Sequence, residues 1–241
     1  MTDLPDQTRL LQAMDVTWAP AKMRALGPWV LRSGEGGGKR VSATTTHLPV
    51  NVGDIAQAET EMANMDQQSI FMLPGETGLP LDKMLADRGY KNVDPVILLA
   101  CPVQKLGSVS ANPHDGIPCE QPLALMRDIW GNGGIGPSRL QVMKRTLGPK
   151  TWLFGRHGQT PASVSFVALD GNIAMLHALE ISPELRRKGI ARKMISQAAI
   201  WAGKQGAEFI AVAVTSENTP ACGLYTSLGM QVAGRYHYRM K

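Results

Sequence analysis

Aromatic residues make up only 5% of this 241-residue chain, and its lysines and arginines form no basic stripe interleaved with stacking rings. No nucleic-acid partner is called for, because single strands are held on aromatic platforms and duplexes along basic tracks. Cysteine is scarce too. Cys101, Cys119 and Cys222 are the three present, and they lack Cys-x-x-Cys spacing, which argues against a disulfide framework and against a zinc site. No metal is expected, and a reducing cytoplasm is the expected location. There is no apolar run long enough to cross a bilayer, so no membrane partner is expected either. Met1-Thr2-Asp3-Leu4-Pro5-Asp6 carries acids where a signal peptide carries bases. The length suits one large domain or two small ones, and two is the reading adopted.

The formal charge of +5 comes in part from Arg186, Arg187, Lys188, Arg192 and Lys193. These residues surround Gly189-Ile190-Ala191, between an apolar run that reads as a strand (173–181, closed by Ser182-Pro183) and an amphipathic run that reads as a helix (192–204). A turn of this kind leaves backbone N–H groups free at a helix start, where the dipole favours an anion. Gly189 lets the backbone approach closely, and several cations in one turn suit a pyrophosphate. Further along, Asn218-Thr219-Pro220-Ala221-Cys222-Gly223-Leu224-Tyr225 and then Leu228-Gly229-Met230 read as a cap, a first-turn proline, a helix and a glycine stop.

Together the two segments resemble the GNAT family of acyl-CoA-dependent N-acetyltransferases. The family's Arg/Gln-x-x-Gly-x-Gly/Ala pattern is met by Arg186, Gly189 and Ala191, and its Asn-x-x-Ala-x-x-Leu-Tyr-x-x-x-Gly pattern by Asn218, Ala221, Leu224, Tyr225 and Gly229. Arg187 departs from the small residue often found there, and Met230 from a frequent aromatic. The resemblance covers about the last half of the chain. It implies an α/β GNAT fold, a mixed and mostly antiparallel sheet flanked by helices, preceded by a smaller N-terminal α/β domain. The division expected is 1–110 for a degenerate GNAT-like domain and 111–241 for the acetyltransferase domain, as in bacterial tandem proteins.

The organisation along the chain agrees with that order. Helices are expected at 7–14, 21–26, 52–65 and 81–87, strands at 70–73 and 96–101, and a hairpin of 29–32 with 39–48 around a glycine-rich turn. The irregular stretch 102–122 marks the boundary. Helices at 123–130 and 138–146 then precede strands at 151–156, 162–169 and 172–181, with Asp170-Gly171 signalling a tight hairpin. A strand at 209–214, the Asn218 helix and a final strand pair within 231–240 follow. Leu81-x-x-x-Leu85-x-x-x-Gly89-Tyr90 echoes Leu224-x-x-x-Leu228-Gly229-Met230, with no upstream counterpart of the phosphate turn; such a unit is also common in α/β domains at large.

By resemblance, acetyl-CoA is the acyl-donor cosubstrate. Its pantetheine arm would pair with Leu179 to Ile181, facing 209–214 across a wedge, and its pyrophosphate with Arg186, Arg187, Lys188, Gly189, Ile190 and Ala191. Asn218 would complete the cofactor set. Tyr225 holds the family position of the donor to the leaving thiolate; packing on its helix face is the structural alternative. For the base, Glu180 and His177 are both candidates, or a water relay; on a regular strand only one of the two would face the cleft, unless a bulge intervenes. Gly131-x-Gly133-x-x-Gly136 follows a helix and not a strand, so it lacks the context of a dinucleotide fingerprint. By resemblance that loop borders the acceptor site. Gly38-Lys39-Arg40 is not a P-loop, and Cys222 is not needed as a nucleophile, since transfer is direct. The expected activity is acetyl transfer to an amine of a small molecule or peptide, by a monomer or homodimer. The alternatives are a non-catalytic acyl-CoA-binding sensor or scaffold and, more remotely, a basic nucleic-acid contact.

Overall fold

The computed structural model describes residues 3–75, 79–107 and 112–241. The first part of the chain forms α1 (Gln7–Thr17), β1 (Lys22–Leu26), β2 (Trp29–Ser33), α2 (Lys39–Ser42), β3 (Thr45–Thr46), α3 (Val52–Asn64), β4 (Ile70–Pro74), α4 (Pro80–Asp87), β5 (Lys91–Pro102) and α5 (Val103–Gly107). The second part forms β6 (Ile117–Cys119), α6 (Ala124–Asn132), α7 (Pro137–Arg145), β7 (Lys150–His157), β8 (Thr160–Asp170), β9 (Ile173–Ile181), α8 (Ile190–Lys204), β10 (Phe209–Thr215), α9 (Thr219–Ser227) and β11 (Gln231–Met240).

Among the described residues eight strands form one sheet in the order β4-β11-β5-β10-β9-β8-β7-β6, and β1-β2-β3 form a second. Every pairing in the large sheet is antiparallel except β10 with β9. Asp170 and Ile173 pair across the tight turn at Asp170-Gly171, as its sequence signal predicts. The alanines of α8 (Ala198, Ala199, Ala202) let that helix lie close on Leu153, Val167, Leu176 and Ile210, while α6 and α7 cover the opposite face around Trp152, Val164 and Phe166. Alongside them on that opposite face, α1 sets Leu10 and Met14 against Met175, Ala211 and Tyr236.

Two sequence expectations are corrected in the first part of the chain. Residues 22–26 are not helical: β1 pairs along its length with β2. Residues 39–48 are not one strand, because α2 intervenes and only Thr45–Thr46 return to pair with β2. A third correction matters more. The expected strand pair within 231–240 is one strand, β11, and β5 stands between it and β10. Correspondingly, β11 stands between β4 and β5. Each β-α-β unit (β4-α4-β5 and β10-α9-β11) thus takes the other's last strand as the neighbour of its first. The expected boundary between residues 110 and 111, with part of the stretch 102–122, lies outside the described residues; strands from both sides of it share one sheet and one core.

Candidate active site

Parallel pairing of β9 with β10 stops at Met175 and Ala211, although the strands run on to Ile181 and Thr215. Beyond that point they diverge, and Leu176–Ile181 and Val212–Thr215 line opposite walls of a cavity of about 1170 Å³. A bulge shapes the β9 wall. Val164 pairs with Glu180 and Phe166 with His177, so β9 holds one extra residue, and Ala178 takes the left-handed φ of 51° that accommodates it. The Trp130 indole of α6 donates to the Ala178 carbonyl at 2.7 Å and holds the bulge in place. The extra residue restores the alternation of side chains, so His177 and Glu180 lie on the same face.

Their surroundings differ. The Thr17 hydroxyl donates to the Ala13 carbonyl at 2.7 Å, so its oxygen must accept the 2.9 Å bond from His177, whose proton is therefore on Nε2. Burial, then the nearby Arg40 charge, lowers the His177 pKa well below the ordinary 6.5, and the ring is neutral at physiological pH. Glu180 is half-buried and accepts from the Arg186 guanidinium at 2.8 Å. The same guanidinium donates to the Ile181 carbonyl at 3.2 Å. Gly133, after α6, runs against Glu180: a side chain there would sit 2.6 Å from its carboxyl carbon, so any other residue would push the carboxylate from this place.

At the far end of the wall the chain turns into α8. Arg187 (φ 63°) and Gly189 (φ 75°) are both left-handed, no side chain caps the helix start, and open space surrounds the point where a Gly189 Cβ would be. The first-turn N–H groups are thus presented to the cavity with the positive end of the dipole. Arg186, Arg187, Gly189, Ile190, Ala191 and Arg192 line this end, and Lys188 is not among the lining residues. From the opposite wall, Asn218 caps α9 by accepting from the Ala221 N–H at 3.2 Å. Tyr225 is 8% exposed, on the cavity wall. Burial, then the neighbouring Cys222, pushes its pKa from 10.0 up to about 12, so the phenol keeps its proton.

The expected site residues Leu179, Ile181, Asn218, Tyr225, Glu180 and His177 therefore share one cavity with the glycine turn. Sequence reasoning missed Trp130, whose role depends on a bulge with no local signature. It also missed Arg40, which reaches the wall from α2 although its glycine-rich approach reads only as a failed nucleotide loop. Among the described residues there is no group of three or more metal-ligating side chains, and no helix is long and apolar enough to cross a membrane.

A mostly antiparallel sheet that opens at a parallel strand pair, beside a helix start bare of side-chain caps, is the architecture of the GNAT fold, and this chain has that fold. Residues 138–230 match the family described as Acetyltransferase (GNAT), and the chain carries a domain of that family. Over its full length the chain is 25% identical to an uncharacterized N-acetyltransferase, YobR, of Bacillus subtilis, and the match covers all of both chains. The fold is shared with a GCN5-related N-acetyltransferase from Kribbella flavida (TM-score 0.72, 16% identity, 97% of this chain and 94% of that one). It is shared too with a tandem GNAT protein from the clavulanic acid biosynthesis pathway (TM-score 0.61, 11% identity, 94% and 85%). The family uses acetyl-CoA as cosubstrate.

Proposed function

We propose that this protein transfers an acetyl group from acetyl-CoA directly to an amine, with the reacting groups meeting where β9 and β10 part. The observation that carries the reading is that the uncapped α8 start and the Tyr225 phenol open onto the same cavity. Its volume is at the upper end for small-ligand sites and suits a long cosubstrate. Arg187, Gly189, Ile190 and Ala191 would hold the pyrophosphate, with Arg186 and Lys188 at the edge, and backbone groups of Leu179 and Ile181 on the β9 wall would pair with the pantetheine amides.

The thioester supplies an acyl carbon whose bond to sulfur breaks as its bond to the amine nitrogen forms. Tyr225, kept neutral by burial, donates its proton or a hydrogen bond to the departing sulfur. Glu180 takes the amine proton, directly or through water. With its Nε2 committed to Thr17, His177 acts as a rigid wall beneath the bulge. We further propose that residues 1–110 are a degenerate relative of 111–241, joined to it by the exchanged strands.

Thermal-shift titration with acetyl-CoA, CoA and ADP tests the binding half of the reading. A ligand at a hundred times its Kd stabilises the native state by about 2.7 kcal/mol. Stabilisation by acetyl-CoA well beyond ADP, followed by CoA release in an amine screen, is the expected result. No shift with either CoA species overturns it.

A further inference from the structure

The cavity carries five arginines, Arg40, Arg139, Arg186, Arg187 and Arg192, against a single carboxylate, Glu180, which is paired with Arg186. Three of the five belong to the glycine turn and the start of α8, where the proposed pyrophosphate explains them. Arg40 and Arg139 do not. They come from the starts of α2 and α7, on the face of the sheet opposite α8. The two starts adjoin: a side chain at Gly38 would lie 3.6 Å from the Arg139 Nε.

Elsewhere among the described residues several guanidiniums withdrawn from solvent meet carboxylates. Arg32 pairs with Asp15, Arg88 with Glu59, Arg239 with Asp82 and Arg9 with Asp170. Among the described residues neither Arg40 nor Arg139 has such a partner. Arg40 is half-buried, and its Nε is buried with no hydrogen-bond partner at all. The hydroxyls of Tyr236 and Tyr238 accept hydrogen bonds from the Arg40 guanidinium and His177 lies beside it, but no carboxylate faces it among the described residues. A guanidinium withdrawn from water without a counter-ion is costly, and it is the side chain best shaped to take a carboxylate in a two-pronged bond.

We propose that one of the two reacting molecules bears a carboxylate, received by Arg40 under the parting of β9 and β10, with Arg139 at the mouth of that pocket. The proposal rests on the acyl-transfer reading for the identity of the reaction, but not for the pocket itself. Two sources fit the same chemistry: an acceptor amine of the amino-acid type, or an acyl group ending in a carboxylate. A polycationic acceptor does not fit.

The experiment uses the full-length protein and matched pairs of probes that differ only in charge. In the donor arm, succinyl-CoA is compared with butyryl-CoA by thermal shift and by CoA release. In the acceptor arm, L-amino acids are compared with their amides in the presence of acetyl-CoA, with the same two readouts. One arm is expected to favour its carboxylate about tenfold to a hundredfold, as for a hydrogen bond to a charged group. Arg40→Gln is expected to erase that preference and Arg40→Lys to restore part of it; Arg139→Gln, at an exposed position, weakens it without touching the core. A preference in the donor arm assigns the carboxylate to the acyl group, and one in the acceptor arm assigns it to the amine.

The wild-type comparison is decisive even if Arg40→Gln fails to fold. No carboxylate preference in either arm overturns the proposal, as does a preference that survives in both the Arg40→Gln and Arg139→Gln proteins. Stabilisation by CoA without any carboxylate preference sinks this proposal and leaves the acyl-transfer reading in place. Stabilisation by amino acids over their amides without any response to CoA does the reverse.

Discussion

The units β4-α4-β5 and β10-α9-β11 end their helices in the same way. In the first, Gly89 (φ 85°) donates to Ala86 and Tyr90 to Leu85; in the second, Gly229 (φ 80°) donates to Thr226 and Met230 to Tyr225. The bonds place Leu85, fully buried, where the other unit has Tyr225. A second contrast lies one helix upstream. Helix α3 closes its own start, with the Asn51 side chain accepting from the Asp54 N–H and the Asp54 carboxylate accepting from the Asn51 N–H, whereas α8 starts at an uncapped glycine. The first unit shares this scaffold but has at the two positions a buried hydrocarbon and a carboxylate of its own. Helix, glycine and strand are what the sheet requires; the phenol and the open helix start are what the proposed reaction requires.

Breaking this contrast tests it. The largest effect is expected at the paired helix position. Tyr225→Phe should slow turnover by about a hundredfold or more, the scale of a lost general acid, with acetyl-CoA binding retained within a few-fold by thermal shift. Leu85→Ala should instead destabilise the fold by about 2–5 kcal/mol in denaturant melts, with turnover per folded molecule unchanged. Equal turnover of Tyr225→Phe and wild type would remove the tyrosine from the chemistry.

Next, Gly189→Asp makes the start of α8 resemble that of α3. Nothing crowds the new Cβ, so the strain is that of one left-handed residue, about 1–2 kcal/mol, while the carboxylate occupies and repels the anion site. Acetyl-CoA affinity should fall about a hundredfold or more, the loss of two charge-assisted hydrogen bonds, with the circular dichroism spectrum preserved. The pH dependence comes third. Burial raises the Tyr225 pKa, so the folded state holds this proton more tightly than the unfolded chain. Its contribution to stability is full below pH 10.0 and is lost as pH rises through about 12. Turnover in the Tyr225-dependent step should therefore show no alkaline loss between pH 8 and 10; a loss centred in that window would mean a phenol exposed to water. The smallest effect is that of Asn51→Ala, which opens α3 by removing its cap. It should cost about 1 kcal/mol of stability and confer no response to CoA.

Much of the glycine-turn end of the cavity was legible because its signals are local. A glycine before an amphipathic run, an asparagine cap and a helix-stopping glycine each act within one or two turns. Most helices and strands followed from periodicity for the same reason. Residues 21–26 misled because Ala, Lys, Met, Arg and Leu favour helices, and the pairing of β1 with β2 overrides that weak preference. The exchange of β5 and β11 left no trace in the pattern, since an apolar strand reads alike whichever strand it joins. The bulge at Ala178 was open only as a possibility, and Arg40 belongs to the site through tertiary placement alone.

The exchange also sets an order on how the protein comes into being. Both neighbours of β5 are made after it, so a nascent chain that has completed residues 91–102 holds a strand with two open edges and with Leu99 and Cys101, whose packing partners outside the strand all come later in the chain, uncovered. Such a strand invites pairing with another chain. It stays in that condition until residues 209–240 leave the ribosome, when β10 closes one edge and β11 the other. Synthesis of β11 thus completes both β-α-β units at once, and a ribosome that stalls before residue 231 releases neither half in finished form.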